Sequence, residues 1–404
     1  MRSLLNDILR DDPHASEAAS IVRSCVHCGF CNATCPTYQL TGDERDGPRG
    51  RIYLMKSWLE AGEAGSITQT HLDRCLLCRS CETTCPSGVR YGRLLDLVRP
   101  RVHAAVGLSR WQRLQRRLLT AMIPYPQRWR GAVTLGRWLR PLLPRAVTRF
   151  YTLADPPSAY VAARHTRRVL LLGGCAQSVL NPNIDVAAAR VFERLGISVV
   201  KLPGVDCCGA LAYHLGDEPV AVRIAKANID AWWPALEAGA EAVMATSSGC
   251  GLQLREYAQL LADDPLYAPR AARIAALVRD PLELVDGAAL RVHVRGQNRR
   301  VAVQTPCTLQ HGQHLGGRIE PLLRDLGWDV VAVEEGHLCC GSAGSYSILQ
   351  PAMAGELRLR KLGNLMACDP QEIVTANIGC QLHLTGFASV PVRHWLEVLA
   401  TALV

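Results

Sequence analysis

Short apolar runs alternate with amphipathic helical patterns over the carboxy-terminal two thirds of the chain. Such alternation is typical of a parallel sheet whose strands are joined by crossover helices. In the first half of this region the pattern predicts strands at 169–172, 197–202 and 242–245 and helices at 185–195 and 219–232. In the second half it predicts strands at 301–304, 329–333 and 373–376 and helices at 318–326 and 354–366. The hydrophobic pattern therefore predicts two α/β domains.

Cysteines recur at matching places in these two halves. Their surroundings match as well, since Val205-Asp-Cys-Cys-Gly209 parallels His337-Leu-Cys-Cys-Gly341. A repeat with so long a period indicates a duplicated domain rather than a solenoid. The repeated cysteines, offset by 132 or 130 residues, are Cys175, Cys207, Cys208 and Cys250 in the first half and Cys307, Cys339, Cys340 and Cys380 in the second. Because they follow strands, we expect the four thiols of each half to meet at the carboxyl edge of its sheet.

Two other runs of cysteine lie near the amino terminus, with identical spacing and a proline after each. They are Cys25-x2-Cys28-x2-Cys31-x3-Cys35-Pro36 and Cys75-x2-Cys78-x2-Cys81-x3-Cys85-Pro86. Three thiolates at this spacing wrap one face of a 4Fe-4S cluster, and in the doubled motif the fourth cysteine ligates the cluster of the other run. The sequence therefore predicts two 4Fe-4S clusters, the first held by Cys25, Cys28, Cys31 and Cys85 and the second by Cys75, Cys78, Cys81 and Cys35.

Zinc and disulfides explain these eight cysteines less well. A structural zinc site is typically built from two separated C-x2-C pairs, which leaves the third cysteine of each run and the trailing Cys-Pro without a role. A disulfide framework is typical of small secreted domains. Residues 1–24 contain acidic side chains and no apolar core, so they do not resemble a signal peptide. We interpret the cysteines as intracellular metal ligands, and no apolar run reaches the roughly 18 residues of a membrane span.

Positive charge is concentrated in a linker between the two cysteine-rich regions. Residues 97–168 contain 15 arginines, no lysine and one acidic residue, whereas the whole chain has a net charge of +9. In the patch at 108–119, arginines and apolar residues are expected on opposing faces. We expect Trp111, Arg116 and Arg117 there to bind an acidic partner subunit or, as a second choice, an anionic membrane surface. Nucleic acid is not an expected partner, because no recognition motif accompanies the charge.

Seven prolines are expected to divide this linker into short helices, because proline interrupts the helical hydrogen-bond pattern. They lie at positions 100, 124, 126, 141, 144, 156 and 157.

A charged loop, Thr41–Arg51, separates the two cysteine runs. A solvated turn is the ordinary interpretation of charges between Gly42 and Gly50. If the loop packs beside a cluster instead, its arginines would stabilise the reduced, more negative state of that cluster. The charged residues are Asp43, Glu44, Arg45, Asp46, Arg49 and Arg51.

These patterns together predict a multidomain chain of mixed α+β and α/β class. A mostly helical two-cluster ferredoxin-type domain is expected at 1–98, followed by the arginine-rich linker at 99–166. Two duplicated α/β cysteine-rich domains of the Cys-Cys-Gly type are expected at 167–290 and 291–404.

This order of features resembles the family that includes the glycolate oxidase iron-sulfur subunit, the anaerobic glycerol-3-phosphate dehydrogenase small subunit and heterodisulfide reductase components. The resemblance covers nearly the whole chain. Three stretches are most similar to the glycolate oxidase subunit: Cys25-Val-His-Cys-Gly-Phe-Cys-Asn-Ala-Thr-Cys-Pro-Thr-Tyr, Gly42-Asp-Glu-Arg-Asp-Gly-Pro-Arg-Gly-Arg-Ile-Tyr53 and Cys81-Glu-Thr-Thr-Cys-Pro-Ser-Gly-Val-Arg-Tyr91.

The resemblance implies an electron-transfer subunit of a glycolate dehydrogenase, which oxidises glycolate to glyoxylate. The flavin and the hydroxy acid would lie on partner subunits, and the clusters would relay electrons singly to a quinone-type acceptor. The chain has no Gly-x-Gly-x-x-Gly after a strand and no acid–base pair in a recognisable motif, so no catalytic residue is predicted. The expected location is cytoplasmic, peripheral to the inner face of the cell membrane. The alternative is the same relay role for a lactate or glycerol-3-phosphate dehydrogenase.

The role of the cysteines in the two Cys-Cys-Gly halves is open to more than one interpretation. In heterodisulfide reductases a related pattern closes with Cys-x-x-Cys, and here the last position is Gln253 in one half and His383 in the other. Four cysteines still suffice to bind an additional iron-sulfur cluster. They could equally be buried cysteines that serve only as small apolar core residues. A heterodisulfide-reductase-like enzyme is a rival hypothesis, because adjacent cysteines form strained, reducible disulfides. The missing fifth cysteine argues against it.

The remaining cysteine and the nearby histidines carry weaker signals. Cys368 has no counterpart in the first half, so we expect it to be a core residue. The histidines next to the repeated cysteines are interpreted as hydrogen-bonded side chains, although such groups can tune a bound cluster. They are His214, His311, His314 and His337.

Overall fold

The computed structural model describes residues 4–139, 165–295 and 297–404. The chain forms two compact units, each assembled from segments that are distant in sequence. The first unit consists of Met1–Arg117, His214–Gly216 and His337–Lys361, and the second of Leu118–Tyr213, Asp217–Gly336 and Leu362–Val404. The four domain ranges inferred from the sequence stay a prediction.

Helices form the secondary structure of the first 117 residues, and capping residues define several of their ends. The Asp12 side chain accepts a hydrogen bond from the backbone of His14, and Pro13 lies in the first helical turn, where its missing N–H costs nothing. Gly62 ends the fourth helix with a left-handed φ of 77°. The helices are α1 (Pro13–Ser24), α2 (Phe30–Ala33), α3 (Pro36–Thr41), α4 (Pro48–Ala61), α5 (Ser66–Asp73), α6 (Ser80–Thr84), α7 (Tyr91–Val106) and α8 (Arg110–Met122), with 3-10 turns at Asp7–Leu9 and Glu44–Asp46.

Helices α1 and α7 pack against each other in the core of the first unit. Val22, Leu94 and Val98 are fully buried there. At the rim, Arg101 Nε donates to Asp12 Oδ2 at 2.8 Å. Helix α1 ends just before the first cysteine of one run, and α7 begins six residues after the last cysteine of the other. This helix pair therefore brings the two cysteine runs side by side.

The first sheet lies in the second unit and is entirely parallel, with the strand order β2-β1-β3-β4. Its strands are β1 (Arg167–Leu172), β2 (Ile197–Lys201), β3 (Ala242–Ala245) and β4 (Val278–Arg279). Leu170 and Leu171 of the central strand point to opposite faces and are both buried, as expected for a parallel sheet covered on two sides. The associated helices are α9 (Pro126–Trp138), which precedes β1, then α10 (Gln177–Leu180), α11 (Asn183–Arg194), α12 (Ala210–His214), α13 (Glu218–Glu237), α14 (Ser248–Arg255), α15 (Tyr257–Leu260), α16 (Ala268–Leu277), α17 (Pro281–Leu284) and α18 (Gly287–Arg291).

The second sheet repeats the first, with the strand order β6-β5-β7-β8. Its strands are β5 (Arg300–Gln304), β6 (Asp329–Val331), β7 (Glu372–Thr375) and β8 (Val392–His394). The register is conserved between the halves, because Val169 pairs with Ala242 and Val301 pairs with Glu372. The helices of this half are a π-helical turn at Thr308–Gly312, α19 (Ile319–Asp325), α20 (Tyr346–Leu349), α21 (Pro351–Met366), α22 (Ile378–Thr385) and α23 (Trp395–Ala402).

The predicted duplication and the six predicted strands are confirmed, with shifts of one or two residues at their ends. The fourth strand of each sheet was missed. Strands β4 and β8 contain only two and three residues, and each includes an arginine, so neither presents the apolar run that predicts a buried strand.

The two sheets share one core within the second unit. Helices α11 and α23 pack against each other, and Phe192 and Trp395 are both fully buried between the halves. The buried ring of His394 lies 2.9 Å from the backbone oxygen of Thr246 through Nε2. Burial lowers the pKa of His394 to about 4. The ring is therefore neutral at pH 7 and serves as a hydrogen-bonding link between the halves.

Pro100 does not break the linker into helices as expected, because it lies inside α7. The buried Leu97, Val98 and Val102 on either side of it compensate for the missing backbone hydrogen bond. Pro124 and Pro126 do separate α8 from α9. The prolines at 141, 144, 156 and 157 lie outside the described residues. Within the described ranges, no helix has the length and apolar character needed to cross a membrane.

Arg116 does not belong to the exposed face of α8, which corrects the expectation from the sequence. Its Nη2 lies 3.4 Å from Asp73 Oδ1, and His103 Nε2 lies 2.7 Å from the same oxygen. Burial acts to raise the pKa of Asp73, but the hydrogen bond with His103 and the nearby cations lower it overall. Arg116 therefore anchors α8 to the first unit, whereas Trp111 and Arg117 are exposed.

Candidate iron-sulfur centres

The two amino-terminal cysteine loops have the same backbone conformation. In each loop, the residues immediately before and after the second cysteine have positive φ: His27 and Gly29 in the first, Leu77 and Arg79 in the second. Such angles cost roughly 1–3 kcal/mol at a residue other than glycine. Turns that contain left-handed residues direct successive backbone N–H groups toward one concave side, and such concavities bind anions and iron-sulfur clusters. The strain is therefore consistent with loops shaped to hold a group.

The first loop borders a cavity in the helical unit. Cys28 is exposed at its mouth, whereas Cys25 is buried. The cavity is also lined by Pro48, Arg49 and Tyr91. Its cysteines are Cys25, Cys28 and Cys31 of the first run and Cys81 and Cys85 of the second. The fourth cysteine of the second run thus reaches the loop of the first.

The second loop borders a neighbouring cavity with the reciprocal composition. Arg51, Thr37 and Tyr91 contribute to its lining. Its cysteines are Cys75, Cys78 and Cys81 of the second run and Cys35 of the first. Each predicted ligand set therefore lies around one cavity, which is the arrangement that exchange of the fourth cysteine requires.

The thiols around these cavities have raised pKa values. Burial, together with the neighbouring thiols of Cys25 and Cys28, raises the pKa of Cys31 to about 11. Burial also raises the pKa of Cys81 well above its ordinary value. Thiols in this state keep their protons at pH 7, and a bound metal must displace those protons to gain thiolate ligands. Four convergent sulfur donors in a largely apolar cavity fit a 4Fe-4S cluster.

Tyr91 lies between the two cavities and lines both. Its hydroxyl is buried beside the Cys75 thiol. Burial, followed by the neighbouring Cys75 thiol, raises its pKa well above the ordinary value. A hydroxyl that lines both cavities beside a cysteine thiol is positioned to donate to the sulfur atoms of a bound cluster.

Arg49 lies beside the first cavity and is balanced by an acidic residue. Its Nε donates to Glu44 Oε1 at 2.6 Å, and Asn32 Nδ2 donates to Glu44 Oε2 at 2.9 Å. Both charged side chains are partly exposed, at 37% and 43%. The guanidinium also approaches Gly29 closely, since a Cβ added there would lie 2.6 Å from Arg49 Nη1. The Arg49–Glu44 pair therefore packs on the first cysteine loop.

A buried polar network lies beside the second cavity. Asp46, fully buried, accepts from Arg74 Nη1 at 3.0 Å and lies 2.7 Å from His71 Nδ1. Arg51, also fully buried, donates from Nε to the His71 backbone oxygen at 2.7 Å and from Nη1 to Thr37 Oγ1 at 3.1 Å. The 41–51 loop is therefore not a solvated turn at these two residues, although Arg45 is exposed.

Tyr346 extends this network within the same unit. Its hydroxyl donates to the backbone oxygen of Arg74 at 3.0 Å, one residue before Cys75. Burial raises its pKa, and the neighbouring thiols of Cys75 and Cys339 add to the increase. Tyr346 is therefore close to a cysteine of the second run and to the first cysteine of the second Cys-Cys-Gly motif.

The four cysteines of the first Cys-Cys-Gly half converge in the second unit. Hydrogen bonding to the Cys175 and Cys208 thiols raises the pKa of Cys207. Hydrogen bonding to Cys208, followed by burial and the nearby Cys175 thiol, raises the pKa of Cys250. Thiols contributed by loops after two strands and by helix α14 thus meet at the carboxyl edge of the first sheet, as expected for a ligand site in an open α/β fold.

Neighbouring polar groups fix the Cys-Cys pair of this half. Asn228 Nδ2 donates to the Cys207 backbone oxygen at 2.7 Å, and Tyr257 Oη donates to the Cys208 backbone oxygen at 2.9 Å. Gln253, which replaces the fifth cysteine of the heterodisulfide reductase pattern, is 2% exposed, and neither atom of its amide has a hydrogen-bond partner. Gln253 follows Cys250 by three residues on α14, so the two side chains share one helix face.

The glycine of each Cys-Cys-Gly motif has a specific steric role. Gly209 and Gly341 have φ values of 86° and 91°. Their backbone N–H groups donate to the thiols of Cys207 and Cys339 at 3.3 and 3.4 Å. A Cβ on Gly341 would lie 2.6 Å from the Ala354 backbone oxygen, so no larger residue fits. The motif therefore places one N–H against its first sulfur.

The cysteines of the second half are divided between the two compact units. Cys339 and Cys340 are buried in the first unit. Cys307 caps the π-helical turn that follows β5, and Cys380 is buried on α22, which also contains the half-buried His383; these lie in the second unit.

The other residues singled out from the sequence have ordinary structural roles. His311 is buried, and His214 Nδ1 lies 3.4 Å from Asp96 Oδ1. Burial acts to raise the pKa of Asp96, but its hydrogen bond to His214 lowers it overall. Cys368 is half-buried rather than a core residue, and its thiol donates to the Ala332 backbone oxygen at 3.0 Å.

Comparison with known proteins assigns these features to a family. The 4Fe-4S dicluster domain matches residues 21–89, and the Cysteine-rich domain matches 169–255 and 301–385. The glycolate oxidase iron-sulfur subunit of Escherichia coli is 49% identical over 410 residues, with 100% of this chain and 99% of that protein covered. The chain belongs to the glycolate oxidase iron-sulfur subunit family. It carries two 4Fe-4S clusters and is an electron-transfer subunit with an oxidoreductase role.

Other relatives place this family member in a wider group. The probable glycolate oxidase iron-sulfur subunit of Bacillus subtilis is 32% identical, with 89% of this chain and 88% of that protein covered. Lactate utilization protein A of Bacillus velezensis is 28% identical over 57% of this chain and 98% of its own length. A hypothetical protein from Helicobacter pylori has the same fold, with a TM-score of 0.58 at 9% identity and coverage of 97% of this chain and 72% of that one.

The sequence pattern did not reveal several groups around the two cluster cavities. Thr37 and Tyr91 lie within the stretches that resemble the family, but the spacing of the cysteines does not indicate that they line the cavities. His71 and Tyr346 join the network beside the second cavity only through the packing of helices. Arg51 was recognised as a charge near a cysteine run, but its burial was not.

Replacement of Gly341 by alanine is expected to destabilise the chain through both backbone strain and steric overlap with Ala354. Gly239 is a suitable control, because it has a similar φ of 92° but open space around it. The control variant Gly239→Ala is expected to lower the free energy of unfolding by about 1–2 kcal/mol. Gly341→Ala is expected to cost about 1–3 kcal/mol more, as measured by chemical denaturation. Equal costs would contradict the close packing at Gly341.

Proposed function

We propose that this chain is the iron-sulfur subunit of a complex that oxidises glycolate to glyoxylate. In this proposal the chain relays electrons from a flavin on partner subunits to a quinone-type acceptor. The observation that supports it most directly is the 49% identity, over the full length of both chains, to the glycolate oxidase iron-sulfur subunit of Escherichia coli. The hydroxy-acid site is assigned to the partner subunits, because the candidate sites of this chain are built from thiols and offer no acid–base pair for alcohol oxidation.

We assign the two clusters to the eight amino-terminal cysteines. Cys25, Cys28, Cys31 and Cys85 would hold the first cluster, and Cys75, Cys78, Cys81 and Cys35 the second. The two cavities support these sets, since the lining of each includes the first three cysteines of one run and the fourth of the other, with Cys81 bordering both. A 4Fe-4S cluster, when bound, accepts and releases one electron at a time. The protein contributes the loops, the hydroxyl of Tyr91 and the arginines that surround these positions.

We further propose that the first Cys-Cys-Gly half holds an additional iron-sulfur cluster. Its four thiols converge, as four cluster ligands would. The buried amide of Gln253 has no hydrogen-bond partner within the protein, and a bound group would supply one. The proposed ligands are Cys175, Cys207, Cys208 and Cys250. The residues that correspond to them in the internal repeat are Cys307, Cys339, Cys340 and Cys380.

Lactate is the second candidate substrate of the complex. It is favoured by the similarity to lactate utilization protein A, which covers 57% of this chain. Both substrates are 2-hydroxy acids, and the residues that would distinguish them are assigned to partner subunits. The full-length similarity to two glycolate oxidase subunits ranks glycolate first.

Helix α8 offers a surface for docking a partner of the complex. Trp111, Leu114 and Leu118 are 64%, 47% and 54% exposed and lie along one stripe of the helix. The exposed Arg113 and Arg117 flank this stripe, and α8 contains no acidic residue. We propose that this face docks an acidic partner subunit. An anionic membrane surface at the cytoplasmic side is the alternative occupant.

Glycolate is expected to reduce the clusters of the anaerobically purified complex within one turnover. Low-temperature EPR of samples frozen after mixing with glycolate or lactate checks this expectation. The glycolate assignment would be wrong if lactate alone produced the reduced-cluster signals.

Iron content tests the ligand assignments. The native chain is expected to contain about twelve or more irons if the Cys-Cys-Gly halves hold metal, and about eight if only the two amino-terminal clusters are present. Cys85→Ala and Cys250→Ala are each expected to lower the iron content by about four. Cys368→Ala is a matched control and is expected to change nothing. An unchanged iron content in Cys250→Ala would contradict the assignment of an additional cluster to the first half.

Polar substitution of the α8 stripe is expected to weaken assembly of the complex. The test variant replaces Trp111, Leu114 and Leu118 by serine. The control replaces Leu266, Val292 and Leu359, which lie elsewhere and are at least as exposed. Co-purification and binding to anionic vesicles are measured for both. Loss of the partner subunit alone supports docking, and loss of vesicle binding alone would assign the surface to lipid. Full co-purification of the test variant would contradict partner docking.

A further inference from the structure

Arg51 is a fully buried guanidinium with one unused donor group. Its side chain is 1% exposed. Nε and Nη1 donate to the His71 backbone oxygen and to Thr37 Oγ1. Nη2 has no hydrogen-bond partner and lies 3.6 Å from Asp46 Oδ1, beyond hydrogen-bonding distance. A buried N–H of a charged group that donates to nothing is costly, so this position is informative.

The unused donor belongs to a side chain that lines the second cavity. Arg51 borders this cavity together with Cys35, Cys75 and Cys78. Thr37, which accepts from Arg51, lies with its Oγ1 3.3 Å from Cys35 Sγ. The guanidinium is thus held by Thr37 and His71 against the sulfur donors of one cavity.

The charge around the second cavity is unbalanced. Arg51 and Arg74 face the carboxylate of Asp46, and the neighbouring Asp43 is paired with Arg45, so one positive charge is in excess. Arg51 and Asp46 are fully buried, so solvent screens them little, and Arg74, which is 35% exposed, supplies the excess charge. The cavity therefore lies in a field that favours added negative charge.

The first cavity lacks such a field. Its arginine, Arg49, forms an ion pair with Glu44, and the pair has no net charge. Both side chains are more than a third exposed, and water and salt screen charges of that kind. Two clusters with identical ligands would therefore experience different electrostatic environments.

We propose that Arg51 donates through Nη2 to the sulfur shell of the cluster held by Cys35, Cys75, Cys78 and Cys81 and makes this the higher-potential cluster of the two. Reduction adds one electron to the cluster, and the hydrogen bond from the buried guanidinium, together with the excess positive charge, stabilises the added negative charge. Each electron comes from the reduced flavin of the partner dehydrogenase. Electrons therefore collect at the second cluster before the first is reduced. This inference rests on the proposed ligand sets.

Redox titration of the purified complex, followed by low-temperature EPR, tests this order. Cys85→Ser alters a ligand of the first cluster and Cys35→Ser a ligand of the second, so each variant identifies the signal of one cluster. In the native complex, the signal altered by Cys35→Ser is expected to develop first as the potential is lowered. The proposal is overturned if the signal altered by Cys85→Ser develops first.

Three variants test the role of charge. Arg51→Met is expected to shift the second cluster to a lower potential, and Asp46→Asn to a higher one, because they remove charges of opposite sign. Arg49→Met is the matched control and is expected to leave the second cluster unchanged. Opposite shifts confined to one signal support the proposal. The absence of a shift in Arg51→Met and Asp46→Asn would overturn it.

Iron and sulfide analysis separates failure of this inference from failure of the ligand assignment. If Cys85→Ala and Cys35→Ala leave the iron content unchanged, the ligand sets are wrong and the inference fails with them. If the ligand sets are correct but Arg51→Met loses about four irons, the charge is tested with the variant Arg74→Met instead. Arg74 is 35% exposed and therefore less important for packing than Arg51. A downward shift of the second cluster in Arg74→Met supports the proposal, and an unchanged potential overturns it.

Discussion

The exchange of one cysteine between two loops is the constraint on which the amino-terminal half of the structure depends. In the proposed ligand sets, each cavity takes three sulfur donors from one tight loop and a fourth from the other loop, so neither run completes a site alone. The α1–α7 pair brings the two runs together, because α1 ends just before the first run and α7 begins just after the second. Tyr91, at the start of α7, lies between the two cavities and borders both. The packing of this helix pair therefore positions the residues of both cavities.

Charge distinguishes two sites that are otherwise alike. The loops share their left-handed residues and their ligand spacing, yet one lies beside an exposed, neutral ion pair and the other beside a buried guanidinium. A cluster adds a negative charge on reduction, so the surrounding charges matter more than the common ligand set. Arg49 and Arg51 are two residues apart at the start of α4, and the helix directs them to different cavities.

The duplicated α/β half solves a different problem, which is to bring thiols from distant parts of the sequence to one edge of a sheet. Parallel strands end at a common edge, and the loops after them carry the cysteines. The glycine of the Cys-Cys-Gly motif then turns its N–H onto the first sulfur and allows the loop to pass close to the following helix. Asn228 and Tyr257 fix the backbone of the pair in the first half, and Gln253 is left without a partner.

The sequence by itself determined the cofactor type, the duplication and the strand positions, because these depend on local spacing and local hydrophobic pattern. Cysteine spacing reports the shape of one loop, and a buried parallel strand is a short apolar run wherever it lies in the chain. The short edge strands β4 and β8 were missed because pairing with a neighbour, rather than their own composition, makes them strands. Pro100 was misread because the buried face of α7 outweighs a local propensity.

Only the tertiary structure decided which polar residues surround the sites. Asp46 and Arg51 have the composition of a solvated loop, and they are buried because α4 and α5 enclose them. Arg116 has the sequence context of an exposed arginine, but it is partly buried because it pairs with Asp73, 43 residues earlier in the chain. Burial and charge pairing are properties of neighbours in space. A one-dimensional pattern records a residue's type and spacing, but the field that it experiences is set by side chains that the fold brings to it.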